Sequence, residues 1–392
     1  MLALEGPGAY LDVGLAILVL LYFLGACWFV LGTRRKNVTT DRVPMVSVVV
    51  AARNEAERIA GCLSALLAQD YPHKQYEVIV VDDGSTDDTA GIIGEYLDGP
   101  ISVRLLQTEG LGSKKEALSL GIAEAKGDVI LSMDADCLVS LGWISGMVAH
   151  FRDGVGFVIG YSQIGSASDI RTWRHGYEAV DFTSLMTCIW GSAGWGHPMA
   201  ASGQNLGFLR EVYSEVGGYD KIMHRASGDD VLLLQMVRNL RKWSIVFASD
   251  NSTFVQHPVT ESWRALLRQR SRWASNATVL SGLDPLFFAY MLITYLLSIL
   301  LLAAPVLLTV GLLSLPFFLG TIAVKTIAEL VTFSCGVALS GRRELYRYFP
   351  FWVLLQTLHV VVVGSLGILG LSSWKGRNHR WGRRLENGAK KW

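Results

Sequence analysis

Charged side chains are scarce in this chain, and neither sign of charge dominates. Only 18% of the 392 residues are Asp, Glu, Lys or Arg, whereas 51% are hydrophobic, and the formal net charge is +1. So low a charged fraction argues against an ordinary soluble protein, although a chain made only of membrane helices would carry still less charge. A near-neutral chain gives no indication of nucleic-acid binding. We therefore expect a mixed protein, with a folded polar domain and membrane segments.

Cysteine is also rare, and its pattern indicates neither a disulfide framework nor a zinc site. The number of cysteines is odd, and their spacing matches no zinc motif. We interpret all five as reduced thiols: Cys27, Cys62, Cys137, Cys188 and Cys335.

Long apolar runs, in contrast, are present at both ends. An uncharged run over 13–31 is long enough to cross a hydrocarbon layer of roughly 30 Å, and basic residues follow at 34–36. A signal peptide would place its charges before the run, so we predict an uncleaved anchor with the following domain in the cytosol.

Three further apolar runs follow near the carboxyl end, over 286–308, 315–339 and 351–371. The second contains Lys325 and Glu329 at i,i+4, a spacing that pairs opposite charges and favours a protein interior. If the amino terminus lies outside the cell, four crossings would leave the basic tail outside as well, against the positive-inside bias. One of the three runs is therefore a candidate for not crossing.

Between these regions, short β-like runs alternate with amphipathic helical segments, which is the pattern of a parallel sheet covered by helices. The run 129–133 predicts a buried strand that ends at Asp134 and Asp136. Ligands bind beyond the carboxyl ends of strands in such sheets, and carboxylate oxygens suit Mg²⁺ or Mn²⁺, which in turn hold a diphosphate. The alternative is a polar turn after a strand.

The strands predicted over 46–50 and 78–81 also end in polar residues, and a glycine-containing turn at 110–113 precedes a helix that begins at Lys114. The Lys114 ammonium and the free N–H groups of the first helical turn are placed to face an anionic diphosphate. Lys115 points elsewhere on the helix, and we expect it to be a surface charge.

Several short motifs, in one order along the chain, resemble the membrane-bound branch of the inverting family-2 glycosyltransferases, which includes ceramide glucosyltransferases and the hyaluronan, chitin and cellulose synthases. The resemblance implies an α/β, Rossmann-like glycosyltransferase A fold that binds a nucleotide sugar, with one N-terminal transmembrane helix and a C-terminal helical membrane region. The motifs are Ala52-Arg53-Asn54-Glu55, Val81-Asp82-Asp83-Gly84-Ser85, Lys114 to Leu118, Asp134-Ala135-Asp136, Gly203-Gln204-Asn205, Gly228-Asp229-Asp230 and Gln269-Arg270-Ser271-Arg272-Trp273.

The resemblance implies donor-binding roles for the motifs of the first half. Asp83 would accept a hydrogen bond from the uracil imide, with a helix N-cap as its alternative role. Ala52 and Glu55 would line the nucleoside site, although Glu55 also suits a solvated first turn of a helix. Asp136 would contact the metal, and Asp134 would reach the ribose, or the metal through water. Lys114 takes the position of the family lysine.

For the second half, an inverting transfer requires a general base, and the resemblance implies Asp230 for that role. Asp229 is a departure from the usual glutamate of the family, and it is suited to cap the helix that follows, which is also the alternative for the pair. Gln269, Arg272 and Trp273 would serve the acceptor and a phosphate. The alternative for them is an amphipathic helix whose arginines meet lipid headgroups.

Two segments remain. The stretch 184–196 is too polar and glycine-rich to span a membrane, yet too apolar for an exposed loop. We therefore expect it to lie either in the core or on a rim that faces the membrane. Lys375 and Arg377, beside Trp374, resemble a gating element that closes over the nucleotide diphosphate, which requires a cytosolic tail. A headgroup anchor is the alternative.

We predict five regions: an anchor (1–36), a cytosolic glycosyltransferase domain (37–252), an interfacial helix with Gln-x-x-Arg-Trp (253–282), a transmembrane region (283–371) and a basic tail (372–392). The predicted function is inverting transfer from a UDP-sugar to a lipid acceptor with Mg²⁺ or Mn²⁺, in a multi-pass protein of a bacterial inner membrane. The alternatives are a processive synthase that extends a glycan, and an inactive scaffold. The sugar, the acceptor and the oligomeric state are not encoded in these motifs.

Overall fold

The computed structural model describes residues 7–35, 37–225, 227–369, 371–374, 377–380 and 383–384. Two compact units are present. The α/β unit comprises Arg35–Ile170 and Ser192–Val259. The helical unit comprises Met1–Arg34, Arg171–Gly191 and Thr260–Trp392.

The α-helices of the described residues include both short helices of the α/β unit and long apolar helices of the helical unit. In chain order they are α1 Pro7–Gly32, α2 Ile59–Leu67, α3 Thr89–Gly94, α4 Lys114–Ala123, α5 Trp143–Val148, α6 Trp173–Gly194, α7 Arg210–Glu215, α8 Val231–Asn239, α9 Trp263–Ala274, α10 Ala277–Leu283, α11 Pro285–Thr309, α12 Leu315–Ser340 and α13 Phe349–Ile368.

The strands form one large sheet and two small ones. In chain order they are β1 Val46–Ala52, β2 Tyr76–Asp83, β3 Ser102–Thr108, β4 Val129–Asp134, β5 Leu138–Val139, β6 Val155–Gly160, β7 Ser162–Ile164, β8 Leu206–Leu209, β9 Ser244–Ala248, β10 Val255–His257, β11 Leu371–Trp374, β12 Arg377–Arg380 and β13 Arg383–Arg384. The large sheet has the order β3-β2-β1-β4-β8-β6-β9, and the small sheets have the orders β5-β10-β7 and β11-β12-β13.

The first four strands of the large sheet run parallel to one another, whereas β8 runs antiparallel to both β4 and β6. Every residue of β2 is buried, as are all residues of β1 except Ala51. Strands covered on both faces require the continuous Val and Ile runs seen here, and each fully buried aliphatic side chain contributes roughly 1.5–3 kcal/mol. The α/β fold predicted from the sequence is confirmed.

Helix α4 lies very close to this sheet. A Cβ atom at Gly121 would lie 2.5 Å from Cγ1 of Val49 and 3.1 Å from Cγ2 of Val81. Only glycine therefore permits this approach without displacement of the strands. The close packing fixes the helix whose first residue is Lys114.

The register of the parallel strands aligns the sequence motifs at one edge. Ala51 of β1 pairs with Asp134 of β4, and Ala52 pairs with Asp82 of β2. Because neighbouring parallel strands end together, the loops after β1, β2 and β4 leave the sheet side by side. The motifs therefore lie together at the edge where the sequence predicted a ligand site.

In the helical unit, α1 packs against α11 and α12 through aliphatic side chains such as Leu15, Val19 and Leu297. In the described residues, four helices are long and apolar enough to cross a membrane: Gly8–Gly32, Pro285–Thr309, Leu315–Ser340 and Arg343–Ile368. They correspond to the four runs identified in the sequence.

The charges of α12 are buried within this unit, as their spacing predicted. Lys325 and Glu329 form an ion pair, and both side chains are at most 4% exposed. Lys325 Nζ also donates to Oε1 of Gln356 at 2.8 Å, and the Tyr22 hydroxyl donates to Oε1 of Glu329 at 3.2 Å. The network joins α1, α12 and α13, which supplies the polar partners that charges in an apolar region require.

Helix α6 contains most of the segment 184–196, which had been expected as core or membrane-facing rim. Its residues up to Gly191 group with the helical unit, although the predicted domain boundaries placed them with the α/β region. A Cβ atom at Gly191 would lie 2.1 Å from the carbonyl oxygen of Phe29, so glycine permits direct contact between α6 and α1. Met186 and Thr187 are buried, whereas Leu185 is 41% exposed.

Helix α9 carries the Gln-x-x-Arg-Trp motif, and a buried arginine fixes it to α6. Arg270 Nε donates to Oδ2 of Asp181 at 3.0 Å, and the Arg270 guanidinium lies 4.3 Å from the Trp273 ring centroid. The indole of Trp352, from α13, donates to Oδ1 of Asp181 at 3.4 Å. Arg270 is only 4% exposed, so it is not one of the headgroup-facing arginines of the amphipathic-helix alternative.

Candidate active site

The loops after β1 and β2 are fastened to each other by short polar contacts. Asn54 has a left-handed backbone with φ of 53°, and its N–H donates to Oγ of Ser85 at 2.9 Å. Its Oδ1 accepts the N–H of Thr86 at 2.8 Å. Asparagine tolerates this conformation better than most residues. The Ala52 and Asp83 loops therefore form one connected surface at the sheet edge.

Asp83 is buried at the end of β2. Its Oδ1 accepts the backbone N–H of Leu111, and its Oδ2 lies 3.4 Å from Nη1 of Arg53. It does not cap the following helix, because Asp87 accepts the N–H and hydroxyl of Thr89 at 3.2 and 2.5 Å. Asp83 thus connects the loops that carry Arg53 and Leu111. It does not have the alternative role of a helix N-cap.

The acids after β4 form a compact group with a cysteine. The ligand atoms of Asp134, Asp136 and Cys137 all lie within 4.8 Å of one another. Burial, together with the charges of Asp134 and half-buried Glu55, raises the pKa of Asp136 to about 6. A divalent cation would stabilise the ionised form of the Asp136 carboxylate.

The donor chemistry of this group fits Mg²⁺ or Mn²⁺ through the two carboxylates. Burial and the charges of Asp136 and Asp134 raise the pKa of the Cys137 thiol. A neutral thiol is a poor ligand for a hard cation, so Asp134 and Asp136 are the residues that would hold it. The position of Cys137 beside the two carboxylates was not predicted from the sequence, because a single cysteine after two aspartates resembles no metal motif.

Lys114 connects these acids to the second acidic motif. Its Nζ lies 2.6 Å from Oδ1 of Asp134 and 2.7 Å from Oδ2 of Asp229. Burial lowers the pKa of Lys114, but the two carboxylates outweigh burial and hold the pKa above its ordinary value. Lys114 is therefore a fixed positive charge between two acidic groups that are far apart in sequence.

Asp230 has different contacts from its neighbour. The N–H of Gly203 donates to its Oδ2 at 3.1 Å, and the N–H of Val231 donates to its Oδ1 at 2.6 Å. The capping role expected for Asp229 thus falls to Asp230, because Asp229 is turned toward Lys114. Burial and the charge of Asp229 raise the pKa of Asp230 to about 6, near that of an effective general base.

Gly203, in the predicted acceptor loop, contacts Lys114 and Asp230 through its backbone. Its carbonyl accepts a hydrogen bond from Lys114 Nζ at 3.3 Å, while its N–H reaches Asp230. A Cβ atom here would lie 2.9 Å from Oδ2 of Asp229. Asn205 of the same motif has a structural role instead, accepting the Trp143 indole N–H at 3.0 Å.

The remaining predicted residues belong to the helical unit. Gln269, Arg272 and Trp273 are half-buried on α9, and Gln269 accepts a hydrogen bond from Arg270 at 2.9 Å. Lys375 lies outside the described residues. Arg377 begins β12, where its backbone pairs with Trp374 of β11, and its side chain is not among those described.

Lys115 differs from its sequence-based expectation. It was predicted to be a surface charge, but its side chain is only 2% exposed. Its Nζ donates to the carbonyl oxygens of Arg225 and Ser227, which lie far away in sequence and give no signal near position 115.

Comparisons with known proteins agree with this geometry. The family model described as "Glycosyl transferase family 2" matches residues 47–216. A beta-monoglucosyldiacylglycerol synthase from Nostoc sp. is 30% identical over 240 residues, which cover 59% of this chain and 48% of the relative. A poly-beta-1,6-N-acetyl-D-glucosamine synthase from Staphylococcus aureus is 28% identical over 246 residues, covering 62% of this chain and 56% of the relative. The chain thus spans about half the length of these curated relatives.

Among solved structures, a mannosyltransferase from Pyrobaculum calidifontis in complex with GDP-Man and Mn²⁺ has a similar fold, with a TM-score of 0.62. It shares 18% sequence identity, and the similarity covers 93% of this chain and 99% of that one. The solved structure thus shows a similarity of fold, and the family match shows that residues 47–216 are a family-2 glycosyltransferase domain, the family that the sequence motifs resemble.

Proposed function

We propose that this chain is a membrane-embedded, inverting glycosyltransferase that transfers a sugar from a UDP-sugar to a lipid hydroxyl. The observation that carries the proposal is the Lys114 ammonium between Asp134 and Asp229, at 2.6 and 2.7 Å. Lys114 thereby joins the acids after β4, which suit a donor site, to the pair Asp229 and Asp230, which suits proton removal. In-line transfer requires these two functions next to each other.

The donor site in this proposal uses the edge of the parallel strands. Asp83 selects uracil by accepting its imide N–H, Glu55 and the backbone at Ala52 line the nucleoside, and Lys114 faces the diphosphate. Asp134 and Asp136 would hold Mg²⁺ or Mn²⁺, which supplies positive charge that stabilises the leaving diphosphate.

Asp230 is the proposed general base. Its two backbone hydrogen bonds fix the carboxylate, and burial beside Asp229 raises its pKa to about 6, so it is ionised at neutral pH yet a much better proton acceptor than an ordinary aspartate. Asp229 keeps Lys114 in place and contributes the negative charge that tunes Asp230. We assign the acceptor hydroxyl proton to a carboxylate oxygen of Asp230.

Gln269 and Trp273 are proposed to contact the acceptor, and Arg272 to contact a phosphate. Gln269 and Trp273 are i,i+4 neighbours on α9, so the amide and the indole can share one face of the helix. Arg272 lies between them in sequence. This assignment rests on the motif that these residues form. Arg270 of the same helix pairs with Asp181, and the three motif side chains are half-buried.

We propose a multi-pass topology with the α/β unit in the cytosol, in a bacterial inner membrane. The four long apolar helices and the basic residues after the first of them support this topology. A gate formed by Lys375 and Arg377 requires a cytosolic tail. A cysteine placed after Trp392, with the native cysteines replaced, tests this in sealed right-side-out vesicles: protection from an impermeant thiol reagent until detergent is added supports the gate, and immediate labelling excludes it.

A processive synthase is the second candidate, because one relative is a polysaccharide synthase and Gln-x-x-Arg-Trp is present. Against it, four candidate spans in the described residues leave little room for a single-chain channel. Purified protein in lipid should be incubated with a panel of UDP- and GDP-sugars, and lipids and soluble products analysed by mass spectrometry.

Each outcome of that experiment distinguishes the candidates. Addition of one sugar to a lipid from a UDP donor is expected. A ladder of glycan masses identifies the processive synthase, and transfer only from GDP-sugars contradicts the role of Asp83. Absence of both transfer and donor hydrolysis, with Mg²⁺ and with Mn²⁺, favours an inactive scaffold.

A further inference from the structure

A second lysine, next to Lys114, contacts the backbone of the loop that precedes Asp229 and Asp230. Lys115 is buried, and its Nζ donates to the carbonyl oxygen of Arg225 at 2.6 Å and approaches that of Ser227 at 3.4 Å. The first distance is that of a short, charge-assisted hydrogen bond, and the second is a weaker contact. Two adjacent residues of α4 therefore contact the same loop.

The loop that Lys115 contacts leads directly into the acid pair. The Ser227 carbonyl belongs to the same peptide group as the N–H of Gly228, which has a left-handed φ of 97°. A Cβ atom at Gly228 would lie 2.5 Å from Leu232, so the chain turns tightly at this point. Asp229 and Asp230 follow at once, and their positions depend on where this peptide group is held.

We propose that Lys115 is a positioning residue for the acid pair, and this rests on the function proposed above. It fixes the backbone that precedes Asp229, while Lys114 contacts the Asp229 side chain itself. The N-terminal turn of α4 thus sets both the charge environment and the location of the general base. Lys115 touches no reacting atom in this assignment.

The burial of the Lys115 ammonium indicates that this side chain has a specific function and does not only fill space. Burial of a cation is costly unless it is hydrogen-bonded, so a Met or Leu would be the favoured residue if position 115 needed only volume. Buried backbone carbonyls also need donors, and an ammonium supplies several N–H groups from one point. Removal of the ammonium leaves the carbonyl of Arg225 without its short bond, and the loop gains freedom.

The test compares Lys115→Met, Lys115→Arg and the matched surface variant Lys126→Met, all as full-length protein in lipid. Lys115→Met is expected to lower kcat about 10- to 100-fold, because displacement of a catalytic group by about 1 Å has effects of this size. Affinity for UDP should stay within about twofold, since the donor-site residues are untouched. Lys115→Arg keeps N–H donors and should recover part of kcat, and Lys126→Met should match the unmodified protein.

Hydrogen exchange of the backbone amides at 227–232 separates this proposal from the proposed function. Faster exchange confined to these amides in Lys115→Met supports loop positioning, even if no preparation transfers sugar, in which case only the proposed function fails. Unchanged exchange together with unchanged kcat overturns the proposal. Uniformly faster exchange, with loss of UDP binding in both Lys115 variants, also overturns it and assigns Lys115 to general stability.

Discussion

The Lys114 ammonium lies 2.7 Å from Oδ2 of Asp229, a contact between the first turn of α4 and the loop before α8. The same nitrogen also pairs with Asp134. Because one ammonium contacts both carboxylates, the proposed donor acids and the proposed base are electrostatically coupled through a single side chain.

Replacement of Lys114 should change the pH dependence of turnover as well as its rate. Lys114→Gln removes the positive charge that favours ionisation of Asp229 and Asp230, so the acid limb of the pH–kcat profile should move upward by about one pH unit. Lys114→Arg keeps the charge and serves as the control, with a limb close to that of the unmodified protein. A limb that does not move in Lys114→Gln would show that the lysine does not tune the base.

Asp136→Asn should remove metal-dependent turnover while the protein remains folded in membranes. A neutral amide is a poorer ligand for Mg²⁺ than a carboxylate, and the change also removes one of the closely spaced negative charges. Turnover is measured across a Mn²⁺ titration, with thermal unfolding as the control for folding. Normal turnover at limiting Mn²⁺ contradicts the assignment of Asp136 as a ligand.

The two neighbouring acids should differ in their kinetic roles. Asp230→Asn should lower kcat by about 10²- to 10⁴-fold and leave UDP affinity unchanged, because a general base acts on the transition state and hardly on nucleotide binding. Asp229→Asn should have a smaller effect on kcat. Calorimetric UDP titration of both variants provides the control. Equal losses of kcat, or lost UDP binding in Asp230→Asn alone, would assign the base elsewhere.

The raised pKa of Asp230 predicts an acid limb in the activity of the unmodified protein. The base must be ionised, so kcat should be constant above about pH 7 and fall about tenfold per pH unit below 6. Saturating Mn²⁺ keeps the Asp136 site in one state during the measurement. Asp229→Asn removes the neighbouring negative charge and should move the limb to lower pH. A midpoint near 4 in the unmodified protein would contradict the assignment.

The buried Arg270–Asp181 pair should contribute to the stability of the helical unit. Asp181→Asn leaves the guanidinium of Arg270, which is 4% exposed, without its charged partner, and such a change costs roughly 3–5 kcal/mol in buried pairs. Thermal unfolding in detergent measures the loss. Asp153→Asn breaks the exposed Arg42–Asp153 pair and is the matched control, with little change expected. Equal midpoints for both variants would show that the buried pair is not stabilising.

The sheet and the position of the acids at its edge could be predicted from the sequence because their signals are local. The run 129–133 is apolar over the length of one strand and ends in Asp134 and Asp136, so both the strand and the position of its acids follow from neighbouring residues. The apolar spans, and the i,i+4 spacing of Lys325 and Glu329, are local in the same sense.

Features that depend on distant parts of the chain could not be predicted. Lys115 is buried where its ammonium bonds the carbonyl oxygens of Arg225 and Ser227, and two adjacent lysines in a sequence give no sign of these distant partners. The choice of cap between Asp229 and Asp230 depends on Lys114 and Gly203, which attract the two carboxylates in different directions. Sequence spacing alone does not distinguish Asp229 from Asp230.

The antiparallel strand β8 has a consequence for the order in which the protein is made. It lies between β4 and β6, so these two strands, although both synthesised earlier, have no hydrogen-bonded partner across that gap until residue 209 is added. Until then the facing edges of β4 and β6 have no strand to pair with, and unpaired strand edges are prone to aggregation. Completion of the large sheet between β4 and β6 therefore depends on the four residues of β8, Leu206–Leu209.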